Sequence, residues 1–197
     1  MYLQKINLKN KYALVTGAGK GLGRACSIAL AEAGATVIAL SRTSSDLNKL
    51  EKDIKKVKGK IIKVSCDVMN YEDLKQKLEK IKIIDVLVNN AFQIPNPPAM
   101  GKGFWEHPIS VWDDQCGVGL RGYYVMSVLA APLMVKQSSG LIVNISSRGG
   151  REYVFSASYG AGKAAVDRMA QDMALELKPH GVSALSLSPS KVKTEFT

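Results

Sequence analysis

Tyr12-Ala13-Leu14-Val15-Thr16-Gly17-Ala18-Gly19-Lys20-Gly21-Leu22-Gly23 decides the fold. The first five residues read as a short buried strand, the glycines as a turn, and the run Arg24 to Ala33 as a helix. Strand, glycine turn, helix is the setting a dinucleotide-binding loop requires. Gly17 allows the tight turn, Gly21 lets backbone approach a pyrophosphate, and Gly23 lets the helix pack close to the strand. The helix N-terminus adds free N–H groups and a partial positive charge suited to phosphate. The spacing is Gly-x-x-x-Gly-x-Gly, although Gly17 and Gly19 imitate the start of Gly-x-Gly-x-x-Gly.

Working outward, strands and helices alternate. Strands are predicted near 12–16, 35–41, 60–66, 84–90, 139–147 and 181–188, and helices near 21–33, 44–57, 70–81, 109–137 and 157–178. That alternation argues an α/β fold, a parallel sheet covered on both faces. Gly34, Gly59, Gly140 and Gly181 stand where helices should stop. With no internal repeat or linker, residues 1–197 read as one domain. The longest irregular stretch, Phe92 to Pro108, carries Phe104 and Trp105, which either line a substrate mouth or pin a rigid surface loop.

Tyr159 and Lys163 stand four residues apart, so one helical turn puts phenol and ammonium on the same face. A neighbouring cation favours phenolate, which suits a general acid/base. Ser147 follows the apolar run Leu141 to Ile145, where its hydroxyl can hydrogen-bond a carbonyl or alkoxide beside that phenol. This is equipment for moving a proton while something else moves a hydride.

Together these motifs resemble the short-chain dehydrogenase/reductase family, over nearly the whole chain. Gly17, Gly19, Lys20, Gly21, Leu22 and Gly23 look like its cofactor turn. Asp67 and Val68 look like its adenine-contacting strand end, and Asn89-Asn90-Ala91 like its Asn-Asn-Ala-Gly motif. Ser147, Tyr159 and Lys163 match its catalytic residues, while Pro189, Val192 and Thr194 fall in a segment like its nicotinamide-contacting one. Residues 11–50 resemble its carbonyl and 3-oxoacyl reductase branches, and residues 104–122 another branch. The resemblance implies a Rossmann-type doubly wound sheet in the order 3-2-1-4-5-6, lacking the family's usual last strand. It implies hydride transfer between a nicotinamide cofactor and a small-molecule carbonyl or alcohol. Tyr159 would donate the proton, Ser147 orient the oxygen, and Lys163 assist Tyr159 and hold the nicotinamide ribose. At the positions where the family discriminates cofactors stand Ser41 and Arg42, with Lys20 nearby. A neutral residue followed by a guanidinium implies NADP(H) as preferred cofactor, with NAD(H) the second choice. The helices at 109–137 and 157–178 correspond to those through which members pair, implying a homodimer or homotetramer.

Departures from the pattern are equally plain. Gly119 stands where the family usually has an Asn that holds a relay water, and Phe92 where a Gly follows Asn-Asn-Ala. The Ser147–Tyr159 interval is one residue short; Ser146 would restore it, but Asn144-Ile145-Ser146-Ser147 aligns better with Ser147. Members also continue past the position of Thr197 with a substrate-covering loop, a helix and a strand. The alternative reading is therefore a nucleotide-binding chain that is catalytically weak or inactive.

Composition bounds the rest. The 46% hydrophobic and 22% charged content over 197 residues fits a soluble globular protein. Cys26, Cys66 and Cys116 lack CxxC spacing and read as reduced thiols, with a cytoplasmic location expected. Only His107 and His180 exist, far apart, so neither a metal site nor a His-based triad is expected. Met1 to Asn10 lacks the apolar segment of a signal peptide, and the apolar run Val125 to Val135 is short for a membrane span. The net charge of +10 concentrates in the lysines between Lys49 and Lys63. Leu47, Leu50, Ile54 and Val57 interleave at helical spacing and no stacking aromatic accompanies them, so a solvated helix face is expected rather than a nucleic-acid surface.

Overall fold

A computed structural model describes residues 6–96, 101–190 and 192–194. Six parallel strands form one sheet in the order β3-β2-β1-β4-β5-β6. They are β1 (Tyr12–Thr16), β2 (Thr36–Ser41), β3 (Lys60–Ser65), β4 (Val86–Asn89), β5 (Gly140–Ile145) and β6 (Val182–Leu187). Between them run α1 (Gly21–Glu32), α2 (Ser44–Lys56), α3 (Tyr71–Leu78), α4 (Ser110–Trp112), α5 (Gly122–Gln137) and α6 (Ala157–Leu177). The doubly wound order agrees with the sequence reading, and the strand order reverses beside β1.

The two-residue period of the strands builds two cores. Val15, Val37 and Ala39 turn to one face, where Ala31 of α1 and Leu47, Leu50 and Ile54 of α2 cover them. Leu14, Ile38, Leu40 and Leu87 turn to the other, against Leu74 and Leu78 of α3 and Met126, Ala130 and Met134 of α5. The lysine-rich α2 thus buries its apolar stripe. Several of its outward charges are paired: Lys55 and Lys63 both reach Glu51, at 2.9 and 2.6 Å, and hold its carboxyl down at about 2.

Two expectations about chain breaks need correction. Gly34 and Gly181 do take left-handed backbone (φ 104° and 69°), but after α2 and α5 the left-handed residues are Lys58 (φ 57°) and Ser138 (φ 51°). Gly59 and Gly140 serve close packing instead. A Cβ on Gly59 would lie 2.7 Å from the Cβ of Ala31, and one on Gly140 2.5 Å from Cγ of Met134.

The predicted single helix over 109–137 is also not one regular helix. A π-helical segment, Asp113–Arg121, separates α4 from α5. This widened turn buries Gln115, Cys116 and Gly119 together. By length and composition the stretch Ser110–Gln137 is apolar enough to cross a membrane: an 18-residue window within it has a mean hydropathy of 1.4, and 44% of that window is buried in the fold. The short run Val125 to Val135 understated this stretch. Met126, Ala130 and Met134 within it are core residues.

Candidate functional site

The chain leaves β1 through a turn whose shape only glycine fits. Gly17 and Gly21 have positive φ, 63° and 52°. At Gly23 a Cβ would lie 2.3 Å from the carbonyl oxygen of Gly17 and 2.4 Å from Nδ2 of Asn90. Helix α1 therefore starts hard against the strand end, as the sequence predicts. Its N-cap, Lys20, makes no side-chain capping bond, and no acid occupies the first turn. Such an end suits a phosphate.

Thr16, read from sequence only as the residue leading into the glycine turn, ties this turn to the end of β4. Its Oγ1 accepts from the backbone N–H groups of Asn90 (2.9 Å) and Ala91 (3.0 Å), and the Asn90 amide donates back to the Thr16 carbonyl at 3.0 Å. Asn89, the first residue of the same motif, is sealed in the core. Its Nδ2 donates to Asn144 Oδ1 (2.9 Å), Ser127 Oγ (3.1 Å) and the Tyr123 carbonyl (3.3 Å), joining β4 to β5 and α5. It faces away from the cleft and holds strands rather than a ligand.

A cleft of about 380 Å³ opens over the carboxyl ends of β1, β2 and β4. Of the residues predicted to hold cofactor, Gly17, Lys20, Gly21, Leu22, Ser41 and Arg42 line one part. Asp67, Val68, Asn90, Ala91 and Thr194 line the cleft as well. Gly19 and Gly23 shape the turn from within, and Pro189 and Val192 lie outside the lining. The cleft's volume and its phosphate-ready turn fit a dinucleotide.

Charge at the Ser41 end is more balanced than the sequence suggests. Lys20 Nζ lies 3.2 Å from the buried Asp46, which sequence reasoning missed. Arg42 donates to Gln93 Oε1 at 2.7 Å and stands 3.7 Å from Asp67. Both cations are thus already matched by carboxylates that line the same cleft. Asp46 is concealed in sequence as an ordinary first-turn acid of α2.

Beside the cleft, α6 carries Tyr159 and Lys163. Ser156 caps the helix by accepting from the Tyr159 N–H at 3.1 Å. Its hydroxyl and that of Ser158 both reach Oε1 of Gln115, at 3.3 and 2.5 Å. The π segment is therefore fastened to the start of α6. Ser147 lies two residues beyond β5, half-buried, with its Oγ accepting from the Gly149 N–H at 3.1 Å. The loop it begins packs on the phenol ring: a Cβ on Gly149 would lie 2.7 Å from Cε1 of Tyr159. Ser146 instead points into the core at 3% exposure, its Oγ donating to the Lys163 carbonyl at 3.4 Å.

Lys163 is 6% exposed. Its Nζ donates to the Ile145 carbonyl at 2.9 Å, an oxygen that also accepts from Tyr123 Oη at 3.3 Å. Burial pulls this ammonium down to about 8, opposed by the Asp167 carboxylate one turn on. Burial likewise raises the Tyr123 phenol and the Cys116 thiol, and pushes Cys66 up to about 12 with help from Asp73. Phe104 and Trp105 stack edge to face at 5.4 Å and are 67% and 76% exposed, outside the cleft lining.

The description "short chain dehydrogenase" matches residues 11–197. Dehydrogenase/reductase SDR family member 1 of Mus musculus is 43% identical over 96% of this chain, which spans 63% of that relative's length. L-xylulose reductase of Mesocricetus auratus is 35% identical over 97% of this chain and 75% of its own. A Brucella melitensis 3-oxoacyl-[acyl-carrier protein] reductase with bound NAD superposes with a TM-score of 0.89 at 28% identity, covering 95% of this chain and 73% of that one. A metagenomic short-chain oxidoreductase in complex with NADP does so at 0.84 and 29%, covering 93% and 84%. On sequence, strand order and glycine turn together, the chain belongs to the short-chain dehydrogenase/reductase family.

Proposed function

We propose that this chain forms the core of an NADP(H)-dependent oxidoreductase that interconverts a carbonyl and a secondary alcohol, with Tyr159 as general acid/base. The observation that carries the reading is convergence. Gly149, two residues past Ser147, presses on the Tyr159 ring, and Lys163 Nζ lies 5.9 Å from that ring's centroid. All of this stands where Phe92 lines both the dinucleotide cleft and the small space beside Tyr159.

In this reading the turn Gly17–Gly23 seats the pyrophosphate, and Asp67 and Val68 flank the adenine. When bound, the nicotinamide supplies or accepts the hydride. Tyr159 gives its proton to the carbonyl oxygen in reduction and takes it back in oxidation. Ser147 donates a hydrogen bond to the same oxygen and fixes its direction. Lys163, held by the Ile145 carbonyl, supplies positive charge beside the phenolate that remains. The neutral Ser41 and the Arg42 guanidinium support a 2′-phosphate, provided Arg42 exchanges Asp67 for it.

Fluorescence titration of the full chain with NADPH and NADH, followed by turnover on ketones, quinones and 3-oxoacyl thioesters, tests the proposal. Tyr159→Phe is expected to keep NADPH binding and lose turnover by about a thousandfold or more. Undiminished turnover would reject Tyr159. Tight cofactor binding by wild type without turnover on any substrate would favour a nucleotide-binding protein without catalysis.

A further inference from the structure

Phe92 and Gly119 both depart from the family pattern, and they touch. A Cβ on Gly119 would lie 2.9 Å from Cδ2 and 3.3 Å from Cε2 of Phe92. The ring occupies the space a side chain at 119 would need. It therefore depends on glycine there, although the two residues sit on different elements.

The same ring meets the catalytic side chains. Lys163 Nζ lies 5.1 Å from its centroid, and the Tyr159 ring stands edge-on to it at 5.7 Å and 88°. The rings of Tyr123 and Tyr159, at 5.6 and 5.9 Å, complete an aromatic enclosure of the ammonium. Among the described residues no carboxylate lies within ion-pair distance of Nζ. The titratable groups facing it are Tyr123 from α5 and Tyr159 and Asp167 from α6. β5 offers the Ile145 carbonyl, and the loop after β4 the Phe92 ring. The space left between Phe92, Gly119, Tyr159 and Lys163, which Gln115, Ser158 and Gly162 also line, is about 10 Å³, at the lower limit for one water. A cation with one carbonyl partner and little room for water draws stabilisation from the ring faces around it.

We propose that Phe92 is a positioning residue: its ring, admitted by Gly119, holds the Lys163 ammonium against the Ile145 carbonyl and sets the Tyr159 ring for proton transfer. This rests on the oxidoreductase reading above. It gives Phe92 a positioning role in the space where the family pattern has a relay side chain; the ring itself carries no proton. It also explains the pairing: a side chain at 119 and a ring at 92 exclude each other.

The test uses the cofactor-free full chain labelled with ¹³C at lysine Cε, the Lys163 signal being assigned by its loss in Lys163→Met. Phe92→Leu keeps the burial and removes the ring face. The Lys163 titration midpoint is expected to fall by about half a pH unit, and kcat by about tenfold with KM changed less than about twofold. Phe92→Tyr should restore both. Gly119→Ala, which forces the ring away, should reproduce the fall, and adding it to Phe92→Leu should cost little more. Phe92→Met serves as the second ring-free variant should Phe92→Leu fail to fold. An unmoved Lys163 midpoint in a folded ring-free variant overturns the proposal, as does failure of Phe92→Tyr to restore it. A moved midpoint in a wild type that binds cofactor but turns nothing over overturns the oxidoreductase reading and leaves the enclosure of Lys163 standing.

Discussion

Replacing Lys163 by methionine should make the protein more stable at neutral pH while abolishing turnover. The side chains are similar in length, so the change removes charge with little change in packing. Burial holds the ammonium at about 8 against an ordinary 10.5. That difference corresponds to about 3 kcal/mol by which the native state is disfavoured when the group is charged. The sign follows from proton counting. Between pH 8 and 10.5 the unfolded chain binds the proton more tightly than the native one, so native stability rises with pH across that window. Below it the full cost is present; above it none is. Methionine escapes the cost but forfeits the bond to the Ile145 carbonyl, about 1 kcal/mol, and that oxygen keeps Tyr123 as a donor. Lys163→Met should therefore be about 2 kcal/mol more stable at pH 7, raising Tm by roughly 4–8 °C; the gain should vanish at about pH 9.5 and become a deficit of about 1 kcal/mol by about pH 10.5. Urea unfolding followed by circular dichroism at several pH values measures it. A variant less stable than wild type at pH 7, or a difference that does not change with pH, would refute the picture of a desolvated ammonium.

Ser41→Asp adds a third carboxylate where Asp46 and Asp67 already line the cleft. It should weaken NADPH by about tenfold or more relative to NADH in fluorescence titration, and an unchanged ratio would remove Ser41 from cofactor choice. Thr16→Val keeps the shape but strips the acceptor shared by the Asn90 and Ala91 N–H groups. It should cost about 2–4 kcal/mol in urea unfolding, with Thr16→Ser near wild type; a loss below about 1 kcal/mol would mean that water satisfies both groups.

Most of the framework is legible because it is local. A central strand is a continuous apolar run of four to six residues, and a helix declares its stripe within two turns. The strand limits accordingly agree to within two residues. The failures come where one residue type has two uses. Gly59 and Gly140 look like helix stops, yet they are glycine because Ala31 and Met134 press on them. The φ > 0 positions fell to Lys58 and Ser138, whose side chains signal nothing of the kind. The π segment was hidden for a related reason. Gly117, Gly119 and Gly122 dilute the apolar period there, so no periodicity marks the widened turn.

The site divides along the same line. Its glycine turn and its Tyr-x-x-x-Lys pair are contiguous motifs, so their spacing carries the geometry. Asn89 belongs to a motif read as cofactor-binding, but its amide is consumed by Ser127 and Asn144, residues far along the chain. The match of Lys20 to Asp46 is likewise invisible until α2 folds against the turn. Phe92 and Gly119 make the case most sharply. Each alone looks like a defect, a bulky ring in a cofactor turn and a missing relay side chain. Folding brings them into contact, and the ring that crowds one motif fills the place emptied in the other. Reverting either one alone should then harm the enclosure of Lys163, since each residue is tolerable only because the other is present.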